Sequence, residues 1–335
     1  MKWSFYETWN KALEQREVKP PEPRQKIWAS EIGGAYLDRF LKMKGVQQTN
    51  PPNARSLRKF EAGNILEWIV GLILKRAGVL INTQEWIQYQ YEGLLPVSGR
   101  LDFISGGQPD YEKARKEIAL LELPDFFNRA TNQIIEHLKT NYPDGLEKII
   151  LEIKSCSSFM FERYEKHGLR SAGQHGLQLF HYLKAKDISE GHLVYISKDD
   201  LRMIEIEVLN PSYIEKKYKN DISTMTDYFQ SDVWPPPEKE IIYNEDTFKF
   251  STNWKIEYSS YLKLIYGYDE PIQYREKWDK MVASWNRTVG RAIGGKNQTD
   301  LNKKVKLEII ENGFDFDEII KNAIEFGAKA EDEDD

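Results

Sequence analysis

A carboxylate and an amine lie two residues apart in KIILEIKS, residues 148–155. The apolar β-forming residues of this segment predict a strand. Successive side chains of a strand alternate between its two faces, so Glu152 and Lys154 point to the same face. Charged groups in an apolar strand are costly to bury unless a metal ion, a phosphate or solvent compensates them. The pair therefore indicates a site that binds one of these.

A second carboxylate, Asp102, lies in GRLDFI, and its apolar neighbours also predict a strand. Residues 79–104 together predict a β-hairpin that turns at Glu92-Gly93. Aspartate is depleted in strands. Asp102 is therefore either a functional residue or a strand-end residue that leads into the turn at Ser105.

A long helix is predicted over residues 54–77, and Gly78 ends it. Its apolar residues predict a core helix; they are Leu57, Phe60, Ile65, Leu66, Ile69, Val70, Ile73 and Leu74. Glu67 lies among them. It is either a ligand for a cation or a residue at the edge of the apolar face.

A second helix is predicted over residues 172–184. Gln174, Gln178 and Tyr182 recur there at i, i+4 and i+8, which places them close to one face. A shorter helix is predicted to begin after Ser30, which would serve as its N-cap.

Composition limits the class of protein. The chain has 335 residues, of which 40% are hydrophobic and 13% aromatic, enough for a large folded core. Its one cysteine, Cys156, excludes an internal disulfide framework, a zinc knuckle and a cysteine-ligated iron–sulfur cluster within one chain. No segment approaches the roughly 20 apolar residues of a membrane span, and the N-terminus lacks the apolar core of a signal peptide. We expect a soluble cytoplasmic protein with no membrane partner.

The distribution of charge matters more than its sum. The net charge is −6, but residues 307–335 hold eleven acidic residues against two lysines. Residues 1–60 hold twelve basic residues against six acidic ones, and residues 271–306 hold nine against three. These surpluses suit either a polyanion or solvated helix faces. In the second region Trp278 and Trp285 fit either stacking on a nucleic acid strand or a helical core stripe.

The segments so far predict four parts. Residues 1–26 form an N-terminal extension, and residues 27–237 form the core with an inserted helical segment at 105–147. Residues 238–306 form an aromatic and basic helical extension. Residues 307–335 form an acidic segment with a disordered tail.

Four pieces in this order carry a family resemblance: helical Glu67, strand Asp102 in GRLDF, strand Glu152-x-Lys154 and helical Gln178-x-x-x-Tyr182. Together they resemble the PD-(D/E)xK nuclease superfamily, and specifically its RecB-type branch. The resemblance extends over about residues 27–208. It implies an α/β (α+β) restriction-endonuclease-like core, in which helices flank a central mixed sheet. Much of the branch has histidine where this chain has Glu67, and in this it is more similar to lambda-exonuclease-like members.

The resemblance also implies a site. Its metal ligands are the Glu67, Asp102 and Glu152 carboxylates and the Ile153 carbonyl, which as hard oxygen donors suit Mg²⁺ or Mn²⁺. Lys154 is then expected to orient the attacking water and offset phosphate charge. A further set of polar residues is expected to contact DNA or to position the lysine. These residues are Gln178, Tyr182, Gln174, Arg100 and Ser155. The cysteines that hold an iron–sulfur cluster in some relatives are missing, so no such cluster is expected.

The function implied is metal-dependent hydrolysis of DNA phosphodiester bonds. The leading interpretation is an exonuclease of replication, recombination or repair, phage-encoded and acting in the host cytoplasm, with a recombination or replication protein as partner. The alternatives are a site-specific or structure-specific endonuclease and a non-catalytic DNA-binding or assembly subunit with the same fold.

Overall fold

The computed structural model describes residues 4–14, 21–120, 125–209, 212–245, 247–293 and 300–332. The chain divides into two compact units. The first consists of Met1–Gly34, Arg39–Val46 and Pro52–Trp234, and the second of Ala35–Asp38, Gln47–Pro51 and Pro235–Asp335. A disordered tail is predicted at the end of the acidic C-terminal segment, and its residues 333–335 lie outside the described residues.

The elements up to residue 230 are a mixture of helices and strands. In chain order they are α1 (Phe5–Glu14), β1 (Ile27–Trp28), a 3-10 helix (Ala29–Glu31), α2 (Tyr36–Met43), α3 (Ala54–Arg76), β2 (Leu80–Tyr89), β3 (Val97–Gly107), α4 (Tyr111–Ala119), α5 (Asp125–Asn141), β4 (Leu146–Cys156), α6 (Ser158–His167), α7 (Leu169–Lys186), β5 (Glu190–Ser197), β6 (Met203–Leu209) and α8 (Ser212–Gln230). The predicted mixed α/β fold with a central sheet flanked by helices is confirmed.

The central sheet has six strands, in the order β1-β3-β4-β5-β6, with β2 paired to β3. The sheet is mixed because β1 and β3 run parallel, as do β4 and β5, while the remaining neighbours are antiparallel. Helices α6 and α7 make the crossover that the parallel β4–β5 pair requires. Strand β4 is therefore central in the sheet.

One face of β3, β4 and β5 packs against helix α3. Its buried cluster consists of Phe103, Leu151, Ile153, Val194 and Ile196, with Leu66, Val70 and Leu74 of α3 against it. The helix predicted over residues 54–77 is therefore present as α3, but only part of its apolar surface packs against the core. Four of its apolar residues, Phe60, Ile65, Ile69 and Ile73, are exposed.

The predicted N-cap at Ser30 is wrong. Ser30 lies inside the short 3-10 helix, and α2 begins only at Tyr36. Gly33 interrupts the helix, since its φ of +80° is left-handed backbone that glycine adopts without strain. Helix α7 is longer than predicted and contains a kink at Gly173.

The segment between β3 and β4 contains helices α4 and α5, and residues 121–124 between them lie outside the described residues. The two strands extend past the predicted limits of this insertion at either end. Gly106 makes their close approach feasible, because a Cβ at this position would lie 2.1 Å from the Glu147 carbonyl oxygen.

The second unit contains a two-stranded sheet and several helices. These are β7 (Ile241–Asn244), β8 (Lys249–Thr252), α9 (Trp254–Glu257), α10 (Leu262–Tyr266), α11 (Pro271–Ile293), α12 (Asp300–Glu311) and α13 (Phe316–Asp332). Trp278 and Trp285 are buried in its core with Phe250, Tyr274 and Ile309. Of the two interpretations of these tryptophans, a helical core stripe or stacking on nucleic acid, the structure therefore supports the core stripe. Among the described helices of the chain, none is both long and apolar enough to cross a bilayer.

Candidate active site

Strands β3 and β4 separate at the two predicted acidic positions. Their antiparallel ladder runs as far as the pair Phe103 and Leu151. In this register the next pair would join Asp102 to Glu152, but no backbone pairing continues there. Strand β3 next pairs with β1, at Val97. The two carboxylates therefore lie at a split in the sheet.

Asp102 is anchored at this split by the backbone of β4. The Ile153 amide donates a hydrogen bond of 2.8 Å to Asp102 Oδ2. Asp102 is only 9% exposed. The ladder leaves the Ile153 amide without a strand partner on this side, and the carboxylate supplies one.

Glu152 and Lys154 form an ion pair on the neighbouring strand. Lys154 Nζ lies 2.6 Å from Glu152 Oε1, which confirms the predicted shared face. Glu152 is 1% exposed, whereas the lysine side chain is 24% exposed. The second carboxylate oxygen, Oε2, is buried and has no hydrogen-bond partner among the described residues. A buried acceptor of this kind is costly unless a cation or donor occupies the position in front of it.

Glu67, on helix α3, is linked to the carboxylate of Asp102 by Gln84, a residue that was not predicted from the sequence. Gln84, on β2, donates a hydrogen bond to Glu67 Oε1 and a second to Asp102. Gln84 has a φ of +52°, an uncommon left-handed conformation for a residue other than glycine. Its amide therefore bridges two of the three carboxylates.

Burial raises the pKa of all three carboxylates, and a neighbouring negative charge raises it further for Glu67 and Glu152. Burial first, and then the charge of Asp102, raises the pKa of Glu67 to about 7. Burial also raises the pKa of Asp102. For Glu152, burial and the charge of Asp102 outweigh the opposing charge of Lys154 and raise the pKa to about 8. Burial alone would lower the pKa of Lys154, but the charges of Glu152 and Asp102 raise it. One lysine does not neutralise three acids in this site.

In the described part of the chain, no group of three or more His, Cys, Asp and Glu side chains is arranged as a ready metal site. The donor set nevertheless fits a hard divalent cation. It consists of carboxylate oxygens, it has an excess of negative charge, and the Glu152 Oε2 atom lacks a partner.

The polar residues of α7 contact the backbone around β3. Tyr182 donates a hydrogen bond of 3.1 Å to the Arg100 carbonyl, and Gln178 donates one of 3.2 Å to the Tyr182 hydroxyl. Gln174 lies apart from the carboxylates and donates to the Ser30 carbonyl at 2.6 Å. Tyr182 thus holds the strand that carries Asp102, and Gln178 holds the Tyr182 hydroxyl.

Two other predicted residues lie near the split. Arg100 is exposed, and its positive charge lowers the pKa of both Glu67 and Asp102. Ser155 faces α3, where a Cβ on Gly63 would lie 3.0 Å from the Ser155 Oγ.

A neutral histidine lies beside the lysine. Burial, followed by the charge of Lys154, lowers the pKa of His175 to about 3. The His175 Nδ1 atom lies 2.8 Å from the Tyr195 hydroxyl, and Tyr195 stacks on Tyr164 at 3.9 Å. The sequence placed His175 next to Gln174 on a predicted helix but gave no sign of this contact, which depends on the position of β5.

Comparison with known proteins gives likenesses of structure only. No family model matches the sequence, and no curated protein matches it. The structure is similar to that of the protein SSO0001, with 17% identity, a TM-score of 0.36 and coverage of 66% of this chain and 87% of that one. It is similar to an alkaline exonuclease from Laribacter hongkongensis, with 10% identity, a TM-score of 0.37 and coverage of 68% and 94%. It is also similar to a phage related exonuclease from Haemophilus somnus 129PT, with 13% identity, a TM-score of 0.31 and coverage of 63% and 96%. At these scores the likenesses carry no functional argument.

Proposed function

We propose that this chain is a divalent-metal-dependent DNA nuclease, and specifically an exonuclease of DNA replication, recombination or repair. One observation carries the proposal. Asp102, Glu152 and Glu67 converge where β3 and β4 separate, and Lys154 is held against Glu152 at 2.6 Å. Three buried acids whose pKa values are raised at the same position destabilise the fold at neutral pH. A bound cation explains why they are kept together.

The ion would be Mg²⁺ or Mn²⁺, held by the carboxylates of Glu67, Asp102 and Glu152 with the Ile153 carbonyl. When bound, it supplies the positive charge that activates a water molecule and neutralises the phosphate. The amide of Ile153 holds the Asp102 carboxylate in place at 2.8 Å. The uncoordinated oxygen of Glu152 provides an open ligand position.

Lys154 is the residue that faces the substrate. Its ammonium is held by Glu152 yet remains partly exposed, so it can contact a phosphate oxygen and the attacking water together. The raised pKa of Lys154 keeps the amine charged at neutral pH. The neutral His175 nearby adds no competing charge. In this proposal Lys154 orients water and offsets the negative charge that accumulates on the phosphate.

Residues around the split would position the strands and the DNA. Gln178 and Tyr182 fix the backbone of β3 at Arg100. The exposed guanidinium of Arg100 is directed toward a DNA phosphate, with Gln174 and Ser155 as further candidate contacts. The partners proposed are DNA and a basic replication or recombination protein that binds the acidic C-terminal segment.

The test is hydrolysis of linear, nicked and closed circular DNA by the purified protein in Mg²⁺ or Mn²⁺, with EDTA as the metal-free control. Asp102→Ala removes a proposed ligand, and Asp144→Ala removes an exposed aspartate outside the site as the matched control. We expect the wild type and Asp144→Ala to degrade linear DNA only, and Asp102→Ala to be inactive.

Two other outcomes of this assay would support the alternative functions. Cutting of closed circles would establish an endonuclease in place of an exonuclease. If the folded wild type binds DNA but leaves all three substrates intact with either metal, the chain is a non-catalytic subunit and the proposed activity is refuted.

A further inference from the structure

A tryptophan in the middle of strand β2 is left open to solvent. Trp86 is 63% exposed although it lies inside a paired strand. It is directly opposite Arg100 on β3, and Arg100 is also exposed. Directly opposed residues of antiparallel strands share a face, with Cβ atoms about 5 Å apart. An indole and a guanidinium are therefore presented side by side.

A second tryptophan supports the ring of Trp86 from the opposite edge of β3. Trp28, on β1, pairs with Ser98 of β3. The centre of the Trp28 ring lies 5.4 Å from that of Trp86, at an interplanar angle of 48°. The charged groups of Arg24 and Lys26 lie 5.0 Å and 4.8 Å from the centre of the Trp28 ring. Trp28 is thus occupied by neighbours, and the exposed surface of Trp86 is left for another molecule.

This surface lies close to the carboxylates. Arg100 and Asp102 are two residues apart on β3, a separation of about 7 Å along the strand. Together with the cross-strand spacing this places the Trp86 Cβ roughly 8 Å from that of Asp102. At the 3.4 Å rise of stacked nucleotides, the distance corresponds to about two to three nucleotides.

The charge around Trp86 determines what can bind it. Two cationic side chains, Lys26 and Arg100, lie beside the two rings, while Arg24 is already paired with Glu31 at 2.6 Å. An apolar protein partner would have to bury these charges, whereas a nucleic acid strand offers a flat base for the indole and phosphates for the cations. Interior base pairs of a duplex are stacked on both sides, so away from a duplex end the exposed indole selects an unpaired base.

We propose that Trp86, supported by Trp28, stacks on an unpaired nucleobase two to three nucleotides from the bond at Asp102. The inference rests on the proposed function and adds a substrate class to it. The DNA strand in the site is single-stranded or frayed next to the cut. Trp86 is a positioning residue, since it does not contact the reacting atoms.

The test is equilibrium binding of fluorescein-labelled oligodeoxythymidylate to the full chain in EDTA, measured by anisotropy. The probe is compared with an abasic strand of equal length, which has the same phosphates and no bases. The variants are Trp86→Ala and Trp86→Phe. Trp234→Ala is the matched control, because Trp234 is also 63% exposed.

We expect Trp86→Ala to weaken oligodeoxythymidylate binding about 5- to 100-fold, the range that one lost base-stacking contact gives. Trp86→Phe should keep most of the affinity, and Trp234→Ala should keep all of it. Binding of the abasic strand should change less than twofold in every variant. Equal weakening of both strands by Trp86→Ala, or no weakening of either, would overturn the inference. Because binding is read in EDTA, these outcomes are independent of hydrolysis, which the Asp102→Ala comparison decides separately.

Discussion

Replacing Glu67 by Gln should make the metal-free protein more stable at alkaline pH. The pKa of Glu67 is raised from 4.5 to about 7, so the folded state binds protons more tightly than the unfolded state. Stability is therefore lost as pH rises from about 4.5 to 7. A shift of this size corresponds to about 3 kcal/mol. Because the side chain is still partly exposed and screened, we expect about half, roughly 1–2 kcal/mol.

The measurement is urea unfolding of the wild type and Glu67→Gln in EDTA at pH 5 and pH 8. The two should be nearly equal at pH 5, and the variant should be the more stable at pH 8. Mg²⁺ should stabilise the wild type more than the variant, because binding to the folded state adds to stability. Glu61→Gln, on the same helix, controls for loss of charge. If Glu67→Gln is no more stable than the wild type at pH 8, burial and the charge of Asp102 do not raise the pKa of Glu67 as described.

Three further predictions concern the fold around the site, each measured by urea unfolding. Asp221→Ala should cost about 3–5 kcal/mol, because it leaves Arg39, which it contacts at 2.7 Å, buried without that partner. Gly71→Ala should cost about 1–3 kcal/mol, because its methyl group would lie 2.8 Å from a phenyl carbon on β3. Contact with Glu205 above all raises the pKa of His192 to about 9. Its stabilising effect should be complete below about pH 6.5 and disappear as pH rises through 9, and His192→Gln should remove this pH dependence.

The strands that carry the site could be predicted because their patterns are local. The apolar run around Glu152 and Lys154 predicts a buried strand, and alternation places both on one face, as their ion pair confirms. The end of the long helix near residue 77 follows from Gly78. The structure agrees to within one residue, with the Asn53 side chain accepting a hydrogen bond at the start of α3.

The contacts that complete the site could not be predicted, because they depend on how distant strands pair. Gln84 bridges two carboxylates only because β2 lies beside β3. Trp28 and Trp86 meet only because their strands flank the same neighbour. Periodicity likewise identifies an apolar helix face but not whether another element covers it. For this reason the apolar pattern predicts Ile65 of α3 in the core, whereas the structure leaves its side chain exposed.

The proposed role of Lys154 in catalysis is tested by the effect of Lys154→Ala on Mn²⁺-dependent hydrolysis of linear DNA in a single turnover. Lys148→Ala is the matched control, since it removes an exposed lysine from the same strand. If Lys154 orients the water and offsets phosphate charge, its loss should slow cleavage by about 10²- to 10⁴-fold. The far-UV spectrum and DNA affinity should stay near those of the wild type, and Lys148→Ala should cleave normally. Equal cleavage rates for Lys154→Ala and the wild type would show that Lys154 has no part in the cleavage step.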